Sequence, residues 1–508
     1  MKRNIRHELE KRKRRIEGRL RDAREREDSG QPAMSGRDVK YEIAERTRAT
    51  AHGGMGVVHR TVLATGLRER IDAYVHVLKV HRPYHESDHV LNIAYNAMCG
   101  GQRLEDLELR RNDEVFLDLL GTEATPDPTT AGDFCRRFGE DDIEQLAGAI
   151  NETRVEVWRR AGLPQRERTA RIDSDGTLVP TTGECKEGMG LSYKGEWGYL
   201  PLLVSLANTG EPLFIANRSG NRPSAEGAAR YLDEAIALCR RAGFADILLR
   251  GDTDFMQTTE LDRWDADGVR FIFGYDAFKN MVARADKLAP QAYGELARKA
   301  DEVFAERPRR QHQPRVKEAI VREKGYRNIR LRSEDVAEFD YKPRACTRAY
   351  RVVVVRKNLT VEKGAEALFD EIRYFFYITN DRASRADEVV REANGRCNQE
   401  NLIAQLKGGV RALHAPVNTL NANGAYMVMA SLAWTIKAWM ALLLPVHPRW
   451  AVKHEAERDV WLRMDFRSFC NAVINVPAQL LETGRRLVLR LLAWRPQLPV
   501  FFRLLDAL

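Results

Sequence analysis

Asp175 in "RIDSDGTLV", Asp252 in "ILLRGDTDF" and Glu400 in "NGRCNQENLIAQLKGG" are three well-separated acids in three different settings. The first two close apolar, strand-like runs, and the third falls in a helix-like stretch. Magnesium prefers hard oxygen ligands and usually takes a few carboxylates, leaving positions for water and substrate phosphate. Two such ions about 3.5–4 Å apart activate an attacking oxygen and stabilise a leaving one, which is what phosphodiester cleavage and joining require. In that scheme Asp175 bridges two Mg2+ ions, with Mn2+ as a substitute, and Asp252 and Glu400 complete one ion each. The spacing leaves rivals open. Period-two alternation puts Asp173 on the same strand face as Asp175, and Asp254 follows Asp252, although Asp252 directly ends its apolar run.

On a continuous helix Arg396, Glu400 and Lys407 share one face. A metal-bound Glu would then sit between two cations able to hold neighbouring phosphates. Taken alone, Arg396 and Glu400 read as an ordinary i,i+4 ion pair; the two strand-end Asp residues give the stretch its catalytic sense.

Such acids need a sheet and helices to position them. "RTARIDSDGTLV" predicts a strand, and "YLPLLVSLANTGEPLFIANRSGN" predicts two strands around Asn208-Thr209-Gly210. "SAEGAARYLDEAIALCRRAG" predicts an amphipathic helix capped by Ser224 and ended by Gly243. A buried strand, "ADILLRGD", a short helix near Thr258–Asp265 and a further strand, "VRFIFGYD", follow. Three antiparallel strands, a helix, a strand, a helix and a strand is the order of a ribonuclease-H-like core; a doubly wound fold would alternate strand and helix from its first element. "IRYFFYITND" returns a strand to the core, and "ADEVVREANGRCNQENLIAQLKGGV" predicts the helix carrying Glu400.

The expected fold class is therefore α/β. A ribonuclease-H-like mixed sheet carries a basic β-containing insertion, preceded by an all-helical domain and followed by a helical tail. The implied boundaries are a basic arm at 1–39, a helical domain at 40–160, core segments at 161–276 and 369–445, the insertion at 277–368 and the helical C-terminal region at 446–508. "TEATPDPTTAGDFCRRF" interrupts the helical domain and offers Thr129 or Thr130 as a helix N-cap.

At 508 residues the chain is long enough for two or three domains. Its formal net charge is +9, and segment 277–368 alone holds 22 basic and 13 acidic residues, so the excess is concentrated there. That asymmetry points to a polyanion partner. Seven scattered cysteines without a CxxC or Cys/His cluster suit a reducing cytoplasm and argue against structural zinc or a disulfide framework. No signal peptide is visible. Met427 to Leu444 is apolar enough to mimic a short membrane span, but Lys437 interrupts it, and a buried helix packed on a sheet is expected instead. "HGGMGVVHR" with Lys79 mimics a kinase glycine-rich loop, yet no H-R-D or D-F-G follows; a helix-connecting turn explains it better. His52 and His59 lack a third partner at metal spacing and read as structural.

The chain resembles the DDE transposases of bacterial insertion sequences, in the branch with a Tyr-Arg-Glu-Lys signature, and most nearly the insertion-sequence 1380 group. The resemblance covers nearly the whole chain, through "HGGMGVVHRTVLATGLRERID", "LEDLELRRND" and "PDPTTAGDFCRRF", then "DSDGTL", "RSGNRPS", "LRGDTDF", "FFYITN" and "NGRCNQENLIAQLKGG". It implies Asp175, Asp252 and Glu400 as catalytic acids, with Arg396 and Lys407 as their basic partners. The D-x-T pattern favours Asp175 over Asp173. The signature Tyr falls at Ala393, and no Trp lies between Trp264 and Trp434, so two aromatic supports of a hairpin intermediate are missing. The resemblance further implies a homodimer on double-stranded DNA, with terminal inverted repeats gripped by the helical half through phosphate and groove contacts. Arg309, Arg310 and Lys317 of the insertion are candidates to clamp that DNA. Two alternatives accompany this reading: another ribonuclease-H-like nuclease, and a catalytically inactive transposase-derived DNA-binding protein.

Overall fold

The computed structural model describes residues 3–25, 34, 39–44, 46–183, 185–296, 320, 323–364, 366–484 and 486–508. The chain divides into two compact units, one comprising Met1–Ala161, Val179–Met189 and Ile403–Leu508, the other Gly162–Leu178 and Gly190–Leu402.

The second unit is built on a nine-stranded mixed sheet. Its strands are β1 (Thr169–Gly176), β2 (Leu202–Leu206), β3 (Glu211–Ala216), β4 (Asp246–Gly251), β5 (Arg270–Tyr275), β6 (Gly294–Glu295), β7 (Arg327–Tyr341), β8 (Tyr350–Lys363) and β9 (Glu366–Thr379). They lie in the order β6-β7-β8-β9-β5-β4-β1-β2-β3. β1 pairs in parallel with β4, and β4 with β5, while β2 runs antiparallel to β1 and β3 to β2. A centre of parallel strands is covered on both faces and so reads as an apolar run; Ile247, Leu248 and Leu249 of β4 are accordingly buried. Between these strands lie α1 (Ala228–Ala242) and α2 (Leu261–Ala266).

α1 ends where expected, with Gly243 at φ 104 and Phe244 N donating to Cys239 O. Its start differs from expectation. Ser224 is not the cap; the helix begins after Gly227, at φ 74. Arg218 explains the delay, because its guanidinium donates to the carbonyls of Pro223, Ser224 and Glu226 and holds them in turns.

Beyond β5 the sheet continues into three long antiparallel strands. Val352 to Val355 of β8 are buried on both faces, and β9 returns to pair with β5 from Phe376 to Thr379. The charges on this ribbon face one another across the ladder: Arg356 meets Asp335, Lys357 meets Glu334, and Arg330 meets Glu362. On the described strands of the basic insertion these cations are therefore paired with acids. Arg309, Arg310 and Lys317 lie outside the described residues.

Two helices follow β9, α3 (Ala386–Asn394) and α4 (Cys397–Ala404). The single helix expected here is interrupted. Around Gly395 and Arg396 the backbone closes i→i+3 bonds, Arg396 N to Ala393 O, Asn398 N to Gly395 O and Gln399 N to Arg396 O. The break changes the angular relation between the two halves.

The first unit is mainly helical, from Arg3–Arg24 through Glu86–Met98 and Glu140–Arg160 to Ala451–Arg463. Its centre is the helix Leu420–Leu442, which has the length and composition of a membrane span but an entirely buried apolar window. It packs on other helices and not, as expected, on a sheet. Lys437 within it donates to Leu462 O at 2.9 Å and lies over the Trp434 ring; burial lowers its amine to about 7. Three further expectations fail in this unit. Arg48–Thr50 is a strand, and Ala478–Thr483 and Arg486–Leu491 form a hairpin that pairs with it. "RRLVLRLLAW" thus belongs largely to a strand: Gly484 turns the chain at φ 62, and long-range pairing overrides the helix propensity of leucine. The N-cap in "PDPTTAGDF" is Asp127, whose carboxylate accepts from Thr130 N ahead of Pro128 at the first helical position. Gly53 and Gly54 of "HGGMG" serve close packing, since a Cβ on either would meet a backbone carbonyl, that of Val476 at 2.7 Å or that of Val473 at 2.0 Å.

Candidate active site

Because β1 and β4 are parallel neighbours, their carboxyl ends lie side by side. Open α/β sheets hold ligands in the crevice outside such ends. Asp175 is the next-to-last residue of β1, and Asp252 follows the final residue of β4. Asp252 caps the short 3-10 turn Thr253–Phe255, its Oδ1 accepting from Asp254 N at 3.0 Å. Its Oδ2 is turned toward Arg396, whose Nη1 lies 3.9 Å from it and 3.4 Å from Asp175 Oδ2. One guanidinium therefore faces both acids. Glu400, on α4, is exposed.

Burial, joined by the like charges of Asp252 and Glu400, pushes the Asp175 carboxyl up to about 6 against the pull of Arg396. Burial also raises Asp252, with Asp254 adding to the effect and Arg396 opposing it. Asp175 and Asp252 share a single guanidinium, Glu400 adds its like charge to Asp175, and the donors are all hard oxygens. Magnesium fits such a set. The acids are gathered without closing on a single point; among the described residues, the group whose ligand atoms all lie within 4.8 Å of one another is His81, His85 and Glu86.

The rival acids differ in their surroundings. Asp173 is 1% exposed and binds Arg250 through both oxygens, at 2.7 and 2.9 Å. It is committed to a buried clamp, whereas Asp175 is partly open. Asp254 is exposed and serves Asp252 through its backbone N–H.

A family model described as Transposase DDE domain group 1 matches residues 31–508. The chain belongs to that family. No curated protein matches this transposase-family chain. Among solved structures, a cryo-electron microscopy structure of a piggyBac transposase synaptic complex with hairpin DNA is similar at a TM-score of 0.38 and 8% identity, over 83% of this chain and 81% of that chain.

Several residues that position the transposase-family acids were not singled out from sequence. Arg250 Nη1 reaches the carboxylate and the carbonyl of Glu392 on α3, both at 2.9 Å, and Arg171 holds the same carboxylate at 2.7 Å. Gln399, 2% exposed, donates to Asp173 O and Leu203 O. The helix pair is thereby fastened to β1, β2 and β4 on both sides of Arg396. A buried amide beside Glu400 reads in sequence like any polar helix residue. Only its neighbours of 196 and 226 residues' separation show its role.

Lys407 lies on the π-helical turn Gln405–Gly409. With a break before α4 and a π turn after it, the α-helical spacing that would align Arg396, Glu400 and Lys407 does not apply. His52 and His59 are structural, bonded to Asn475 and to the Tyr95 hydroxyl. Beside Gly395, a groove of about 570 Å³ is lined by residues including Lys357, Phe375, Tyr377 and Asn394. Phe375 is 42% exposed, with Lys357 Nζ 4.8 Å from its ring centre.

Proposed function

We propose that this chain is an active transposase of the bacterial insertion-sequence type, close to the insertion-sequence 1380 group, that cuts and rejoins DNA at the terminal inverted repeats of its own element. The observation that carries the reading is the cluster of Asp175 and Asp252 at adjacent parallel strand ends, both facing Arg396, with Glu400 close enough to raise Asp175. The strand order β3-β2-β1-β4-β5, with only β2 reversed, supports a ribonuclease-H-like core. Family membership over residues 31–508 favours a transposase over another nuclease built on such a core.

Asp175, Asp252 and Glu400 would hold Mg2+, which when bound supplies Lewis-acid activation of the attacking oxygen and charge stabilisation at the leaving one. The chain's own groups do the positioning. Arg396 is placed to meet the scissile phosphate as the acids turn to their cations. Arg250, Glu392 and Gln399 hold its helix against the sheet, so little reorganisation is needed when substrate arrives. The groove at Phe375 and Tyr377 offers ring faces, with a nearby ammonium, for a base beside that phosphate. Lys407, Arg309, Arg310 and Lys317 are proposed DNA contacts, and the element ends would be joined by two copies of the chain in a bacterial cytoplasm.

The test is cleavage of a duplex carrying the element's terminal repeat, with Mg2+ and with Mn2+. The wild type should nick at the element boundary, and Glu400→Gln should bind the repeat yet leave it uncut. Cleavage surviving that change would remove Glu400 from the site, and specific binding without cleavage by the wild type would favour the inactive DNA-binding reading.

A further inference from the structure

His81, His85 and Glu86 lie apart from the acidic cluster, at the end of the loop joining the helices Leu67–Tyr74 and Glu86–Met98. Glu86 is 1% exposed although it is the first residue of its helix. Its carboxylate is held in place: Oε1 accepts from Leu78 N at 3.1 Å, and Oε2 stands 3.0 Å from His81 Nε2. An ion pair would need one histidine only. Here a second imidazole, His85, stacks on the first with ring centres 5.0 Å apart and 12° between planes. One ligand atom from each of the three residues lies within 4.8 Å of the other two. The two imidazoles thus bring ring nitrogens beside a buried carboxylate.

We infer that His81, His85 and Glu86 form a site for a borderline divalent transition ion, of which Zn2+ is the representative. Two imidazoles and one carboxylate form a common zinc donor set, with distances near 2.0–2.2 Å reached by small side-chain movements. Magnesium is disfavoured because it demands oxygen ligands. The backbone N–H of Leu78 supplies the outer-shell bond that orients the carboxylate. Zn2+ would sit between His81 and Glu86, with water in the fourth position. Binding staples the loop at Leu78, His81 and His85 to the first turn of the helix, fixing exposed Lys79 and Arg82 on the surface. The scattered cysteines hid this site in the sequence, because its signal is the spacing H-x3-H-E.

The experiment uses the full chain with excess Mg2+, which keeps the acidic cluster supplied, and titrates Zn2+ and Co2+. Wild type should take up one more Zn2+ per chain than the His81→Ala/His85→Ala double variant, show the visible bands of low-symmetry Co2+, and gain thermal stability that the variant does not. Glu86→Gln, which keeps the side chain's size, should weaken Zn2+ uptake at least tenfold. Equal Zn2+ uptake and equal thermal shifts in wild type and double variant would overturn the site and leave an ordinary His–Glu ion pair.

Discussion

Asp173 and Asp175 stand two residues apart on one strand and differ in everything but chemistry. Asp173 is sealed against Arg250, which is itself tied to Glu392; Asp175 is partly open and shares Arg396 with Asp252. The first carboxylate has a full complement of partners and the second has a deficit. A fully paired buried ion holds two elements in register but has no capacity left for a substrate or cation. An under-neutralised one can gain much from a bound cation because burial has already raised the free energy of its charge. The clamp and the under-neutralised cluster are thus built from the same residue type, and their difference lies in which arginine each receives.

The comparison breaks most sharply on activity and stability measured together. Asp175→Ala should lower Mg2+-dependent cleavage by roughly 10³-fold or more, while leaving the fold and repeat binding intact. Asp173→Ala should do the reverse in kind, costing about 3–5 kcal/mol of stability because Arg250 is left buried without its bidentate partner. Denaturant unfolding and cleavage assays on both variants check the pair of outcomes. If Asp173→Ala is stable but inactive and Asp175→Ala remains active, the two roles are exchanged.

Much of this was legible in the sequence, and the failures share a cause. Apart from the short strands Val179–Pro180, Gly190–Leu191 and Trp197–Tyr199, the order of strands and helices from Thr169 to Tyr275 follows from local periodicity, because each of those elements is one apolar run bounded by turn residues. The choice between Asp173 and Asp175 was not available from alternation, since it depends on Arg250, 77 residues away. The break at Gly395 was masked by a continuous helix-like pattern, which says nothing of a guanidinium arriving from β4. Arg486–Leu491 reads as helix because leucine is a good helix former, whereas its pairing partners, Ala478–Thr483 and through them Arg48–Thr50, are set by tertiary contact. Local structure was readable wherever one segment decided it, and charge partners were not.

The pH dependence of stability sharpens the contrast at a smaller scale. The folded state holds the Asp175 carboxyl near 6, against about 4 in an unfolded chain. The folded form therefore binds more protons between those values, and its stability falls as pH rises through that window. At pH 7, without divalent cations, the cost is on the order of 1–3 kcal/mol. Asp175→Asn should remove it, so the variant melts above wild type at pH 7 in chelator. The advantage should fade as pH falls from about 6 to about 4. An advantage that stays constant over that range would mean the carboxyl titrates normally and the cluster is not short of charge.

The smallest expected effect tests how the clamp and the under-neutralised cluster are joined. Gly395 has an ordinary helical φ of −57°, so its lack of a side chain serves space and not backbone freedom. A Cβ there would lie 2.6 Å from Arg250 Nη1 and 3.1 Å from Glu392 O. An arginine tip usually moves aside at little cost, but this one is held by Asp173 and by two oxygens of Glu392. Gly395→Ala must therefore push the helix junction away from the sheet or loosen the clamp, at about 1–3 kcal/mol. Since Arg396 is the next residue, the same displacement should lower cleavage by roughly 10-fold or more through misplacement of its guanidinium. Unfolding and cleavage measured on this variant together decide the coupling. A loss of stability with undiminished cleavage would show that the clamp supports the fold without aiming Arg396, and the two carboxylates of β1 would then work independently.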